Sequence, residues 1–236
     1  MQSRLLAQLT LLALIGVGLG VPSLAQSAKT PPPTPPPGWN QTVTKEQPGV
    51  TAQEFDAKQT AIIRKVTTYF NEMTDMKGTF VQTSADNKRL RGKFYVKRPT
   101  FFRFEYNLPS RQLIVSDGTH MSIQDHDLKT DDRYGLDKTP FRLILRKDVD
   151  LLRDARILEV GEDGDRIVLA LQDKDPDTPG RIKLFLSKKA PMELKEWVTT
   201  DSQGLDTRVE LTEFAKADDL DPKLFVPPPI ALQKLQ

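Results

Sequence analysis

The 236-residue sequence contains no cysteine and only two histidines. Without a thiol there is no disulfide framework, no thiolate nucleophile and no acceptor for a bacterial lipid anchor. No glycine-rich loop that could cradle phosphate appears, and Ser116-Asp117-Gly118 lacks the glycine frame of a nucleophile elbow. Charge of one sign is also missing. Thirty-four Lys and Arg face 32 Asp and Glu, a formal net charge of +2, which gives no electrostatic case for a nucleic-acid partner. The apolar stretch Leu11 to Val21 falls short of the roughly 20 residues that span a bilayer, and no later segment comes closer.

What is present begins with an export signal. Arg4 supplies the positive end, Leu5 to Leu19 the apolar core, Val21-Pro22 a break, and Ser23-Leu24-Ala25 the small-x-small cleavage pattern. Residues 1–25 are expected to be removed, leaving Gln26 first and the protein outside the cytoplasm. Disulfides would persist there, so a cysteine-free fold must stand on its apolar core. Residues 26–50, with Pro31-Pro32-Pro33-Thr34-Pro35-Pro36-Pro37, favour extended polyproline II and read as a flexible spacer rather than a proline-recognition ligand. Residues 51–236 remain for one folded domain.

The domain opens with an amphipathic pattern. Phe55, Gln59, Ile62, Val66 and Tyr69 recur at steps of three and four, predicting a helix over 52–70. From Gly78 the period becomes two. Short strands are predicted around Phe80-x-Gln82, Phe94-Tyr95-Val96, Phe102 to Tyr106, Leu113 to Val115, Met121 to Ile123, Ile157 to Val160, Ile167 to Leu171, Ile182 to Leu186, Leu194 to Val198 and Thr207 to Glu213. Tight turns such as Ser116-Asp117-Gly118 and Glu162-Asp163-Gly164-Asp165 separate them, which argues for an antiparallel meander. Thr139-Pro140-Phe141-Arg142-Leu143-Ile144-Leu145 interrupts the rhythm. It reads as a capping hydroxyl, a first-turn proline and a short apolar helix that must cover something. Asp221-Pro222-Lys223-Leu224-Phe225 suggests one further helical turn.

Candidate chemistry is sparse. His120 and His126 lie near Asp125, Asp127, Asp131 and Asp132, but without the spacing that places two imidazoles on one helix face, so a solvated hairpin end accounts for them better than a metal site. Asp173-Lys174-Asp175-Pro176-Asp177 starts like a calcium loop, yet Thr178 and Leu184 stand where glycine and glutamate are needed, and a polar turn is expected. Lys88, Arg89, Arg91, Lys93, Lys97, Arg98 and Arg103 form a basic cluster that strand alternation is expected to split between two faces, leaving an exposed rim open to an anionic membrane surface or an acidic partner. Period-two counting places Arg98 on the apolar face with Phe94 and Val96. A buried arginine there needs acceptors. The competing reading is a surface residue displaced at Pro99, and spacing alone leaves both open.

Taken in order, Phe80-x-Gln82, Gly92-Lys93-Phe94-Tyr95-Val96-Lys97-Arg98-Pro99, Phe102-Arg103-Phe104, Ile114-Val115-Ser116-Asp117-Gly118, Thr139-Pro140-Phe141 and Phe225-x-Pro227-Pro228 resemble the periplasmic outer-membrane lipoprotein carrier family, LolA. The resemblance implies a mainly β fold: a curved, unclosed antiparallel β-barrel covered by a helical lid. It implies a periplasmic chaperone that binds lipoprotein acyl chains in an apolar cavity, with no cofactor and no covalent step. Cargo would arrive from an inner-membrane lipoprotein-releasing ABC transporter and leave to an outer-membrane acceptor or to the outer membrane directly, carried by a monomer. The family's arginine at this position implies that Arg98 closes the lid by donating to carbonyls of the Phe141 to Leu145 helix or of the first helix. Phe94, Val96, Phe102, Phe104, Ile114, Phe141, Ile144 and Leu145 are the expected acyl-chain contacts. The proline-rich linker, Arg142 in the lid and the acidic Asp125 to Lys138 loop depart from the family pattern. An anchored acceptor of the same architecture needs a lipidated cysteine, which is absent. A general lipid or fatty-acid binder and an envelope-stress sensor of this fold are the alternative functions.

Overall fold

The structure, a computed structural model, describes residues 54–230; the expected signal and linker, residues 1–50, lie outside them. Helix α1 (Ala57–Glu72) starts at a capping box. The Asp56 carboxylate accepts from the Gln59 amide at 2.7 Å, and the Gln59 side-chain oxygen accepts from the Asp56 amide at 3.1 Å. Gln59 thus caps the helix instead of joining its apolar stripe. The buried face is Ile62, Ile63, Val66 and Phe70.

Eleven strands form one antiparallel sheet: β1 (Met76–Thr83), β2 (Arg89–Lys97), β3 (Phe101–Tyr106), β4 (Gln112–Asp117), β5 (His120–Asp125), β6 (Thr130–Gly135), β7 (Ala155–Asp163), β8 (Arg166–Asp173), β9 (Arg181–Ser187), β10 (Leu194–Thr200) and β11 (Asp206–Lys216). Their order, β6-β5-β4-β3-β2-β1-β11-β10-β9-β8-β7, is two meanders joined where β1 pairs β11. Edge strands β6 and β7 stay unpaired with each other, so the barrel is open. Between them the chain runs through a 3₁₀ turn (Leu136–Lys138), α2 (Arg142–Leu145) and α3 (Leu151–Asp154). These elements and α1 cover the concave face, where rows such as Ile167, Leu169 and Leu171 meet Phe80, Phe94 and the helices in one core.

Glycines let two strands approach closely enough to bend. Phe80 faces Gly92 across β1–β2, and Phe94 faces Gly78. A Cβ on Gly92 would lie 2.0 Å from the Glu105 carbonyl oxygen and 2.6 Å from the Phe80 ring. The rings cover the space that the missing side chains leave. Nearby, the Tyr106 hydroxyl donates to the Gln82 side-chain oxygen at 2.5 Å, which explains Gln82 in the Phe80-x-Gln82 motif. Burial raises the Tyr106 pKa. A raised folded-state pKa stabilises the fold fully below the ordinary phenol value near 10 and progressively less as pH rises above it. Tyr106→Phe is expected to cost about 1–2 kcal/mol at neutral pH, because the Gln82 oxygen loses its donor. It should also lessen the alkaline loss of stability; urea melts at pH 7 and pH 11 check both.

Several expectations need correction. Thr139 does not cap α2 with its side chain: that hydroxyl donates to the Leu136 carbonyl at 2.8 Å, and the N-cap position is Phe141. The acidic loop from Asp125 contains strand β6, and Leu151–Asp154 is an unforeseen helix. The basic cluster is split less evenly than expected: Arg98 turns to the concave side, and the strand residues stay together. Arg89, Arg91, Lys93 and Lys97 alternate onto one face of β2, and Arg103 joins them by pairing with Tyr95. That convex face is partly covered by the tail. Phe225 packs on Phe101 at 5.8 Å, Arg103 donates to the Leu224 carbonyl, and Gln124 donates to the Pro228 carbonyl. Leu113 and Val115 are buried on this side, opposite Ile114.

Candidate functional site

Cross-strand pairing assembles the concave wall. Phe94, Phe104 and Ile114 face one another across β2, β3 and β4, and Val96 pairs with Phe102 one step nearer the lid. Phe94, Val96 and Phe102 are buried; Phe104 and Ile114 are partly buried against the same core. Phe104 is the hub of the ring cluster, 5.1 Å from Phe80, 5.9 Å from Phe94 and 6.0 Å from Phe102. On α2, Ile144 and Leu145 point into the core, and Phe141 sits 6.3 Å from Phe102. The eight apolar residues singled out in the sequence therefore share one core.

Trp197 completes it, and the sequence reading missed it. Its indole lies 6.0 Å from Phe104 and 6.2 Å from Phe141, joining the far wall to the lid. Strand alternation could not place it, because a register shift between Leu194 and Glu196 changes which residues of β10 face inward. Trp197 is one of two tryptophans, the other being Trp39. If acyl chains occupy this face, a lipopeptide with brominated chains is expected to quench Trp197 strongly and saturably in a Trp39→Phe background. A non-acylated peptide should leave the emission unchanged.

Arg98 extends the row Phe94, Val96 to the end of β2. Its two terminal nitrogens donate to the carbonyls of Ile144 at 2.7 Å and Arg146 at 2.9 Å. The Ile144 carbonyl lies in the last turn of α2, where helix geometry leaves it without an intrahelical partner. Partial burial pushes the guanidinium pKa below its ordinary value, although arginine stays charged in proteins. Its amide is fixed separately, donating to Asp75 at 2.9 Å.

The other end of α2 is fastened to the opposite wall. Arg142 donates through Nε and a terminal nitrogen to the Asp173 carboxylate, at 2.5 and 2.8 Å. The Asp173 side chain is fully buried, and Asp175 lies 3.8 Å from the same guanidinium. This pairing raises the Arg142 pKa. The acidic turn that superficially resembles a calcium loop thus supplies the counter-ion for the lid's odd arginine. Counting by twos through Ile167, Leu169 and Leu171 reaches Asp173, the same signal that singled out Arg98. Finally, the Asn71 amide group of α1 both donates to the Val149 carbonyl and accepts from the Val149 amide, at 2.9 and 2.8 Å, tying the helices into one cover.

No helix among the described residues is long and apolar enough to cross a membrane. The family model described as outer membrane lipoprotein carrier protein LolA matches residues 71–228. An outer-membrane lipoprotein carrier protein from Chromobacterium violaceum is 30% identical over 161 residues, covering 66% of this chain and 73% of the relative. One from Pseudomonas aeruginosa is 26% identical over 189 residues, covering 73% and 87%. Among solved structures, a LolA superfamily protein from Nitrosomonas europaea superposes with a TM-score of 0.39 at 13% identity, over 70% of this chain and 97% of the other. Matched from the end of α1 to the prolines of the tail, the chain belongs to the LolA family of outer membrane lipoprotein carriers.

Proposed function

We propose that this protein is a periplasmic carrier that takes lipoprotein acyl chains against its concave face and shuttles lipoproteins from the inner to the outer membrane. The observation that carries this reading is how the cover is held. An apolar, ring-lined wall lies under helices that pack on it by their apolar faces and are tied at their ends by side-chain hydrogen bonds, with no strand of the sheet sealing the opening between β6 and β7. Such a cover can leave without unzipping the sheet. A triacylated lipoprotein exposes on the order of 45 methylenes, worth roughly 35 kcal/mol at about 0.8 kcal/mol each, so crossing an aqueous space needs shielding of this kind.

In this reading Arg98 is the releasable closure. Incoming chains displace the lid, Arg98 loses the Ile144 and Arg146 carbonyls, and regaining them favours emptying. Phe94, Val96, Phe102, Phe104 and Ile114 on the wall, with Phe141, Ile144 and Leu145 on the lid, contact the chains. An inner-membrane lipoprotein-releasing ABC transporter supplies cargo, and an outer-membrane acceptor or the membrane itself takes it. The carrier acts as a monomer without cofactor or covalent step. Purification from the periplasm followed by mass spectrometry tests the reading. Co-purifying acylated lipoproteins are the expected result. Recovery of free phospholipid or fatty acid alone would replace it with a general lipid binder.

A further inference from the structure

The contacts that hold the cover are distributed unequally between the two meanders. Toward the β7–β11 half, Arg142 makes its two-bonded ion pair with buried Asp173 at the end of β8. Lys174, next in the chain, donates to the Leu152 and Arg153 carbonyls of α3 at 3.0 and 2.9 Å. The Tyr69 hydroxyl of α1 accepts from the Leu194 amide of β10 at 3.0 Å, and Lys58 of α1 meets Glu162 of β7 at 3.1 Å. Toward the β1–β6 half, Arg98 donates to the Ile144 and Arg146 carbonyls, and the Leu136 amide of the 3₁₀ turn donates to the Thr119 carbonyl at 2.9 Å. The Asn71–Val149 pair joins α1 to the α2–α3 segment by two hydrogen bonds.

These ties also differ in kind. Arg142 and Asp173 are oppositely charged and joined by two parallel hydrogen bonds, and removing one partner strands a buried charge. Arg98 meets only neutral carbonyls that water or a polar cargo group can satisfy. We infer that the cover is a one-sided flap: it stays pinned to β8 through Arg142 and Asp173 while it lifts from β2–β3, so that cargo enters beside Arg98, Phe102 and Phe104. Arg142 and Asp173 are positioning residues that set which edge of the barrel opens. The inference deepens the carrier reading and rests on it for the identity of the cargo alone.

The absence of cysteine makes the test direct. Spin labels at Lys93→Cys on the exposed face of β2 and at Lys147→Cys just beyond α2 report the lifting edge. The Nε–H resonance of Arg142 reports the pin, since that proton is bonded to Asp173. Arg98→Leu, with no cargo added, is expected to lengthen and broaden the Lys93–Lys147 distance while the Arg142 Nε–H keeps its shift and slow exchange. A synthetic tripalmitoylated lipopeptide should do the same to the wild-type pair. Loss of the Arg142 signal in step with lengthening would overturn the inference, and so would an unchanged distance in Arg98→Leu.

A lipopeptide that fails to bind would instead overturn the carrier reading, because the Arg98→Leu measurements judge the flap without cargo. The paired variant Arg142→Met/Asp173→Leu leaves no unpaired buried charge and keeps the fold testable. Combined with Arg98→Leu, it should broaden the distance well beyond Arg98→Leu alone. An identical distribution would reduce the pair to an ordinary ion pair and overturn its role as a pin.

Discussion

Arg98→Leu is expected to slow transfer of an acylated lipopeptide from this protein to acceptor vesicles by about ten- to a hundredfold, while the loaded complex becomes more stable by a similar factor. The reasoning follows the closed state. Arg98 makes two charge-assisted hydrogen bonds to the Ile144 and Arg146 carbonyls. Such bonds contribute about 1.5–3 kcal/mol when buried, and partial exposure here brings the pair as a whole to about that range. Leucine removes this stabilisation from the closed, empty state and leaves the loaded state untouched if cargo has already displaced the contact. A change confined to one state shifts the equilibrium by that difference alone. Dissociation slows and the apparent affinity rises. Vesicle-transfer kinetics read the first effect and Trp197 quenching titrations the second. Unchanged rates in the variant would remove Arg98 from the release step.

The largest stability effect is expected at Gly92. Its replacement by alanine puts a methyl carbon 2.0 Å from the Glu105 carbonyl oxygen, which belongs to the backbone of β3 and cannot rotate away. The Phe80 ring at 2.6 Å could move, but only by disturbing its edge contacts with Phe104 and Tyr106, both at 5.1 Å between centroids. Either β2 separates from β3 or the bend flattens. Both disturb the wall beneath the lid. Overpacking of this kind commonly costs about 1–3 kcal/mol, and a backbone collision places Gly92→Ala at or above the upper end. For a domain of this size the melting temperature should fall by about 6–12 °C. Thermal denaturation monitored by circular dichroism checks this. Gly161→Ala, where nothing lies within 4 Å of the new carbon, provides the neutral comparison.

These effects show which parts of the molecule local pattern could reveal. Strands with a clean apolar face announced themselves, as in Ile182, Leu184 and Leu186, because one face is buried and the other is not. The polar edge strand β6 has no such face and passed for a loop. Closure of the two meanders through β1 and β11 is a contact between distant segments, invisible to any window. Arg98 stood out because an apolar row ran into a charge, but spacing left it open between the core and the surface, and its carbonyl partners were implied only by the family resemblance. Asp173 carried the identical signal, but its acidic neighbours suggested a turn and its partner lay 31 residues away. Trp197 was hidden by the irregularity in β10, since one extra residue reverses the inward and outward faces. Arg142 looked anomalous in an apolar helix only until its carboxylate was in view.

A carrier whose concave face holds lipoprotein acyl chains must take them from one membrane and pass them to another. Spheroplasts loaded with newly made, radiolabelled lipoprotein, incubated with the purified protein, test this most directly. Labelled lipoprotein is expected to leave the spheroplasts as a complex with this protein and then move to outer-membrane vesicles, with release dependent on its acyl chains. Lipoprotein remaining on the spheroplasts in the presence of folded protein, while the protein recovers only free phospholipid, would contradict the carrier reading.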